Sequence, residues 1–183
     1  MLTNEDKLIN LGKNVTEKWL KEQISYCTHQ VKKNMQRFGE QFPSACATQG
    51  IYRIKANDDW TNGFWTGMLW LSYEYTLDES FKDLAMKNVG NFQKRLDDHF
   101  ILDHHDIGFL YSLSAVAGYQ ITGEAKYRAE IIQAATVLKR RYHEKGHFIQ
   151  AWGKYGDPNE NRLIIDSLMN LPLLFRASEL TGD

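Results

Sequence analysis

At 183 residues, 43% apolar and 13% aromatic, the chain has the composition of a folded domain and too many Trp, Tyr and Phe side chains for a disordered tail. A formal net charge of −1 supplies no basic field of the kind nucleic-acid binding uses, which argues against that partner. Cys27 and Cys46 stand in no paired metal spacing and read as free thiols of a reducing cytoplasm; no signal peptide and no run long enough to span a membrane is evident.

Residues 1–14 are polar and read as a lead-in to a single domain over 15–183. Over 16–38, Trp19, Leu20, Ile24, Cys27, Val31 and Met35 follow the spacing of an amphipathic helix. Residues 39–59 hold Pro43 and Gly50 with few periodic apolar positions, so a loop is expected, with 52–54 a short extended piece. A second helix, 60–76, is apolar nearly all round and should be buried on most sides, with Trp65, Trp70, Phe64 and Tyr73 in the core. A third, 79–96, carries Lys82, Asp83, Lys87, Gln93, Lys94 and Arg95 and reads as a solvated outer helix. The alternation repeats: 106–120 is apolar, 124–142 amphipathic and charged, 146–152 short and β-leaning, 161–180 mostly apolar. Pro172 is expected to bend or interrupt that last helix. No alternating run is long enough for a substantial sheet, so the class is all-α.

The units align. Tyr73-Glu74-Tyr75-Thr76-Leu77-Asp78, Tyr119-Gln120-Ile121-Thr122-Gly123-Glu124 and Ser178-Glu179-Leu180-Thr181-Gly182-Asp183 each close an apolar helix, and the first two lead into a charged one. Gly123 and Gly182 suit the left-handed residue that ends a helix. Inner helix, tight turn, outer helix is the plan of an α/α toroid. The third copy stops at its turn, so a chain cut from a larger ring is expected.

The repeat also brings chemistry into register. Fifteen or sixteen residues before Thr76, Thr122 and Thr181 stand Trp60, Asp106 and Asp166, all about four helical turns from the closing turns. An aromatic face and two carboxylates on one rim are the equipment of a sugar site. Each residue also has a plainer reading. Asp106, in the crowded stretch Leu102-Asp103-His104-His105-Asp106-Ile107-Gly108, suits a helix cap, and Asp166 an ion pair with Arg162 four residues earlier. His29, His99, His143 and His147 read as surface residues, and Lys139-Arg140-Arg141 as a solvated helix end.

Four ordered motifs carry a resemblance. Trp60-Thr61-Asn62-Gly63-Phe64-Trp65-Thr66-Gly67, Leu102-Asp103-His104-His105-Asp106-Ile107-Gly108-Phe109, Phe148-Ile149-Gln150-Ala151-Trp152-Gly153 and Arg162-Leu163-Ile164-Ile165-Asp166 resemble the unsaturated glucuronyl hydrolases, glycoside hydrolase family 88, of the streptococcal type. The likeness implies the N-terminal half of an (α/α)6 barrel that removes 4,5-unsaturated glucuronic acid from lyase-generated chondroitin or hyaluronan disaccharides, in the cytoplasm and with no metal or organic cofactor. By the same likeness Asp166 is the general acid/base and Asp106 the second essential carboxylate. Trp60 and Trp152 are sugar-stacking positions, and His105 is a polar neighbour in substrate binding. A general acid at Asp166 calls for a raised pKa, which burial and a nearby carboxylate would supply.

Two rivals remain at this point. His105-Asp106-Ile107-Gly108 also resembles the metal-dependent HD phosphohydrolases, with His29 or His99 and Asp166 as further ligands, but that leaves the tryptophan motifs unexplained. An inactive half-barrel is the other: its uncovered apolar flanks would drive self-association or pairing with a missing half.

Overall fold

A computed structural model describes residues 12–183 except 14 and 158, so nearly all of the predicted lead-in lies outside the described residues. The chain divides into two compact units after Arg37. The first is helix α1 (Glu17–Phe38) without its last residue, and its solvated face carries i,i+4 pairs such as Lys21–Glu17 at 2.6 Å.

The second unit begins with a hairpin, β1 (Phe42–Thr48) and β2 (Ile51–Lys55): the short extended piece expected at 52–54 is the second strand, and the first strand stands where only loop was expected. Gln49 and Gly50 both have positive φ, the two-residue reversal that matches strand twist. Pro43 and a bulge before Ala47 disguise the first strand, and Ser44 Oγ accepts the Arg53 backbone N–H at 3.0 Å beside the irregularity. Five helices follow: α2 (Asn62–Thr76), α3 (Glu79–Asp97), α4 (Ile107–Tyr111), α5 (Ala117–Thr122) and α6 (Ala125–Lys139). A small hairpin, β3 (Tyr142–His143) and β4 (Phe148–Ile149), precedes α7 (Ser167–Thr181). The chain is helix-rich, with two small hairpins that an all-α reading omits.

The helices of this second unit form two layers. In one, α2 packs against α4, and α4 against α7; in the other, α3 backs α2, and α6 backs α4 and α7. Between them lie Trp65, Trp70, Phe92, Tyr111, Tyr127 and Ile131, each almost wholly removed from water. Burial of such side chains contributes roughly 2–3 kcal/mol apiece. The opposite face of the first layer is open. Phe64, Met68 and Leu71 on α2 and Leu168, Met169 and Phe175 on α7 are exposed. The rest of the first three turns of α2 is buried, as expected of a helix apolar nearly all round, but Phe64 lies on its open stripe and is not core.

The predicted 106–120 helix is interrupted. Ser112–Val116 forms a π-helical turn, with Ala117 N–H reaching back five residues to Ser112 O. Ser114 Oγ donates to Leu110 O at 2.6 Å and Trp70 Nε1 to Ser114 O at 3.1 Å, so side chains occupy carbonyls that the regular ladder would use. In contrast, α7 runs through Pro172 unbroken. Pro172 and Leu168, whose carbonyl loses its usual donor, both lie on the exposed side, where water can replace the bond.

Two arginines read as solvated are buried. Arg95 donates to Phe100 O, Asn57 Oδ1, Asp59 O and Ile101 O, which clamps the loop before α2 to the loop after α3. Arg141 donates to Gln150 O at 2.8 Å and Gly153 O at 3.0 Å, so only Lys139 and Arg140 of that basic run face solvent.

Candidate functional site

Trp60, Asp106 and Asp166 all stand at the N-terminal ends of first-layer helices. Asp106 and Asp166 occupy the residue just before α4 and α7, and Trp60 lies two residues before α2. Glycine makes this assembly possible. A Cβ on Gly63 would overlap the Phe109 carbonyl and come within 2.9 Å of Leu110 Cα; one on Gly108 would overlap the Asn170 backbone. Each motif thus contains the residue that lets its helix touch the next. Asn170 locks the second contact: its Oδ1 accepts the Phe109 N–H at 2.8 Å and its Nδ2 donates to Asp166 O at 3.3 Å.

At the α4–α7 contact sits His105, 1% exposed. Its Nε2 lies 3.4 Å from Asp106 Oδ1 and 3.7 Å from Asp166 Oδ1. On the other side its Nδ1 is 3.0 Å from Ser167 Oγ, and its backbone N–H donates to Ala151 O at 2.7 Å. Burial holds the imidazole below its ordinary pKa, with Asp106 and Asp166 pulling the other way. His105, expected as a polar neighbour of the site, lies buried beside both carboxylates. The other oxygen of Asp106 lies 3.3 Å from His104 Nδ1, while His104 Nε2 donates to Ile101 O at 3.0 Å.

Neither aspartate uses its side chain as a helix cap, so the plain capping reading of Asp106 does not describe its contacts. Arg162 does not pair with Asp166 either. It pairs with Glu160, and its guanidinium lies 5.8 Å from the Trp152 ring centre. Nor does Asp166 lie inside an apolar helix: α7 begins one residue later, and its side chain is 37% exposed.

The tryptophans flank this cluster. Trp152, 42% exposed, meets His105 edge-on with ring centres 6.5 Å apart. Its loop is fixed from behind by Gln150, which donates to Trp152 O at 2.8 Å and Lys154 O at 3.2 Å while Arg141 binds the Gln150 carbonyl. Trp60, 44% exposed, packs on Phe109 at 6.0 Å and Phe64 at 6.4 Å, so it joins the site through α4 one turn beyond Asp106. Phe64, Phe109, Ser167, Asn170, Gln150 and Arg141 were not singled out as site residues. Only Asn170 left a local signal, a polar residue four after Asp166 in an otherwise apolar run.

His105, Asp106 and Asp166 each offer a ligand atom within 4.8 Å of the others. No helix among the described residues is long and apolar enough to cross a membrane.

A layered helical scaffold that gathers two carboxylates beside exposed tryptophans is the design of a glycoside-processing protein. The family profile described as Glycosyl Hydrolase Family 88 matches residues 30–183. The chain belongs to glycoside hydrolase family 88, the unsaturated glucuronyl hydrolases. It is 45% identical over 182 residues to an unsaturated chondroitin disaccharide hydrolase of Streptococcus agalactiae, covering 100% of this chain and 46% of that protein. It is 49% identical over 152 residues to the unsaturated glucuronyl hydrolase of Bacillus sp. strain GL1, covering 82% and 40%. The crystal structure of an unsaturated glucuronyl hydrolase from S. agalactiae superimposes with a TM-score of 0.90 at 47% identity, over 92% of this chain and 43% of that one. The chain therefore spans less than half the length of these relatives. The likeness to HD phosphohydrolases has no support in these matches.

Proposed function

We propose that residues 15–183 are the N-terminal half of an (α/α)6 barrel whose complete form hydrolyses 4,5-unsaturated glucuronyl disaccharides of the chondroitin or hyaluronan type. The observation that carries this reading is the carboxylate pair, Asp106 and Asp166, flanking buried His105 where α4 meets α7. The name of the streptococcal relative supports the chondroitin-type substrate.

The C4=C5 enol ether of such a sugar accepts a proton at C4, which leaves an oxocarbenium centre at C5 shared with the ring oxygen. Water adds at C5 and returns a proton to the carboxylate that supplied the first. The hemiketal then opens, breaking the glycosidic bond and freeing the second sugar. Asp166, partly exposed at the start of α7, is the acid and then the base. Asp106 holds the sugar and supports its partner, with buried His105 lying behind both carboxylates. Trp60 and Trp152 offer faces for the sugar rings, as apolar sugar faces require. Proton transfer through a side chain does all the chemistry, so the scheme uses no cofactor.

An assay on an unsaturated chondroitin disaccharide, following loss of the C4=C5 absorbance, tests the reading. Activity of this chain, or of a version extended by the remaining helices, that disappears in Asp166→Asn supports it. Full activity in that variant refutes it.

A second reading has its own observation: the exposed apolar face formed by Leu71, Leu168, Met169 and Phe175. Soluble proteins seldom leave such a face uncovered. In this reading the chain alone is inactive and associates with itself or with the other half. Light scattering that finds a dilute, well-folded monomer counts against it.

A further inference from the structure

We propose that His105, Asp106 and Asp166 bind one first-row transition-metal ion of the Zn2+ type, which occupies the carboxylate pair as an inhibitor and not as a cofactor. The spacing carries the inference. In a tetrahedral site with metal–ligand bonds of about 2.0–2.1 Å, neighbouring ligand atoms stand about 3.3 Å apart. His105 Nε2 is already 3.4 Å from Asp106 Oδ1 and 3.7 Å from Asp166 Oδ1, and all three ligand atoms fall within 4.8 Å. Coordination therefore requires the aspartate side chains to rotate toward the imidazole.

A second observation concerns what these atoms bond to. His105 Nε2 is buried and has no hydrogen-bond partner, although a buried ring nitrogen is costly to leave unsatisfied. The same ring is held in place by Ser167 Oγ on Nδ1 and by Ala151 O on the backbone N–H, as the supporting shell of a metal site holds its ligands. Asp166 Oδ1 is likewise buried without a partner. A divalent ion satisfies both atoms and neutralises two adjacent carboxylates.

One imidazole with two carboxylates favours zinc and its neighbours over Mg2+ or Ca2+, which take oxygen ligands. The partly exposed side of Asp166 leaves room for a water as fourth ligand. Binding withdraws both carboxylates from proton exchange. That consequence rests on the hydrolase reading, whereas the site itself rests on geometry alone.

Calorimetric titration of this chain with Zn2+ and the visible spectrum of its Co2+ form test the site without substrate. The expected result is one saturable ion per chain and a Co2+ spectrum of low coordination number. Asp166→Asn should weaken binding about a hundred-fold, and Ser167→Ala, which removes only the support of the ring, about ten-fold. Asp166 is partly exposed, so that variant keeps the test sound even if His105→Gln fails to fold. Absence of saturable binding overturns the proposal. So does one-to-one binding untouched by Asp166→Asn and Ser167→Ala, which would put the ion elsewhere, for example at His143 and His147. Either result leaves the disaccharide assay to decide the hydrolase reading separately.

Discussion

The two ends of the α2, α4–α5 and α7 units follow opposite rules. At the C-terminal ends one device appears three times. Thr76, Thr122 and Thr181 each donate Oγ1–H to the carbonyl four residues earlier, at 2.7, 2.7 and 2.9 Å. Each also accepts the backbone N–H two residues later, at 3.2, 3.3 and 3.3 Å. Between them a left-handed residue, Leu77, Gly123 or Gly182, donates its N–H back to the helix at 2.8 Å. At the N-terminal ends position is shared but identity is not: a tryptophan, then a carboxylate beside two histidines, then a carboxylate beside a serine. The repeat holds the frame at one end and leaves the other free to assemble different chemistry.

The largest expected effect is at the N-terminal end. In a version that completes the barrel, Asp166→Asn should lower kcat by two to four orders of magnitude, the range for loss of a general acid/base, with unfolding midpoint little changed. A comparable fall in stability would mean that Asp166 is structural. Gly108→Ala comes next. Its methyl meets backbone, not a movable side chain, so α4 and α7 must part, at a cost of about 3 kcal/mol or more. Gly123→Ala, with open space but φ of +69°, should cost only about 1–2 kcal/mol. Urea unfolding of the two variants compares the ends directly, and equal losses would contradict the close-contact role given to Gly108.

A buried carboxylate away from both ends makes a third test. Glu130 on α6 has no hydrogen-bond partner on Oε1, and burial, with Asp97 adding to it, pushes its pKa from 4.5 to about 8. Between those values the folded chain holds a proton that the unfolded chain releases. Stability should therefore fall as pH rises from 4.5 to 8 and then level off. Glu130→Gln should remove that slope, staying close to the unaltered protein at pH 5 and exceeding it by roughly 3–4 kcal/mol at pH 8. Urea midpoints that keep the slope would show that another group carries it.

Much of this was legible because it is local. The threonine turns, the left-handed glycines and the four-turn offset to Trp60, Asp106 and Asp166 are all written within about twenty residues. What escaped depends on partners far apart in the chain. Ser167 meets His105 across 62 residues, and Phe109 meets Asn170 across 61. No periodicity announces such a pairing. Arg95 and Arg141 escaped for the same reason, since a cation on a polar helix face reads as solvated until the loops it clamps are in place. The first hairpin was hidden by Pro43, by its bulge and by Gln49 in a left-handed conformation that sequence rules reserve for Asn or Gly.

The smallest effect tests whether the three turns are equivalent. Replacing Thr76, Thr122 or Thr181 with Val keeps the shape and removes both side-chain hydrogen bonds. All three sites reach solvent, so water satisfies the freed groups and each loss should be about 1 kcal/mol. The turns share no partner, so the triple variant should lose close to the sum of the singles, within about 0.5 kcal/mol. Urea unfolding of the seven combinations measures this. A Thr76 variant that loses more than the others would have a physical reason ready. Leu77 holds its left-handed conformation at φ of 58° without being glycine, so that turn has strain for its hydrogen bonds to offset. Equal losses would instead show that the threonine bonds act alone, and that the frame tolerates a side chain where its other two copies use none.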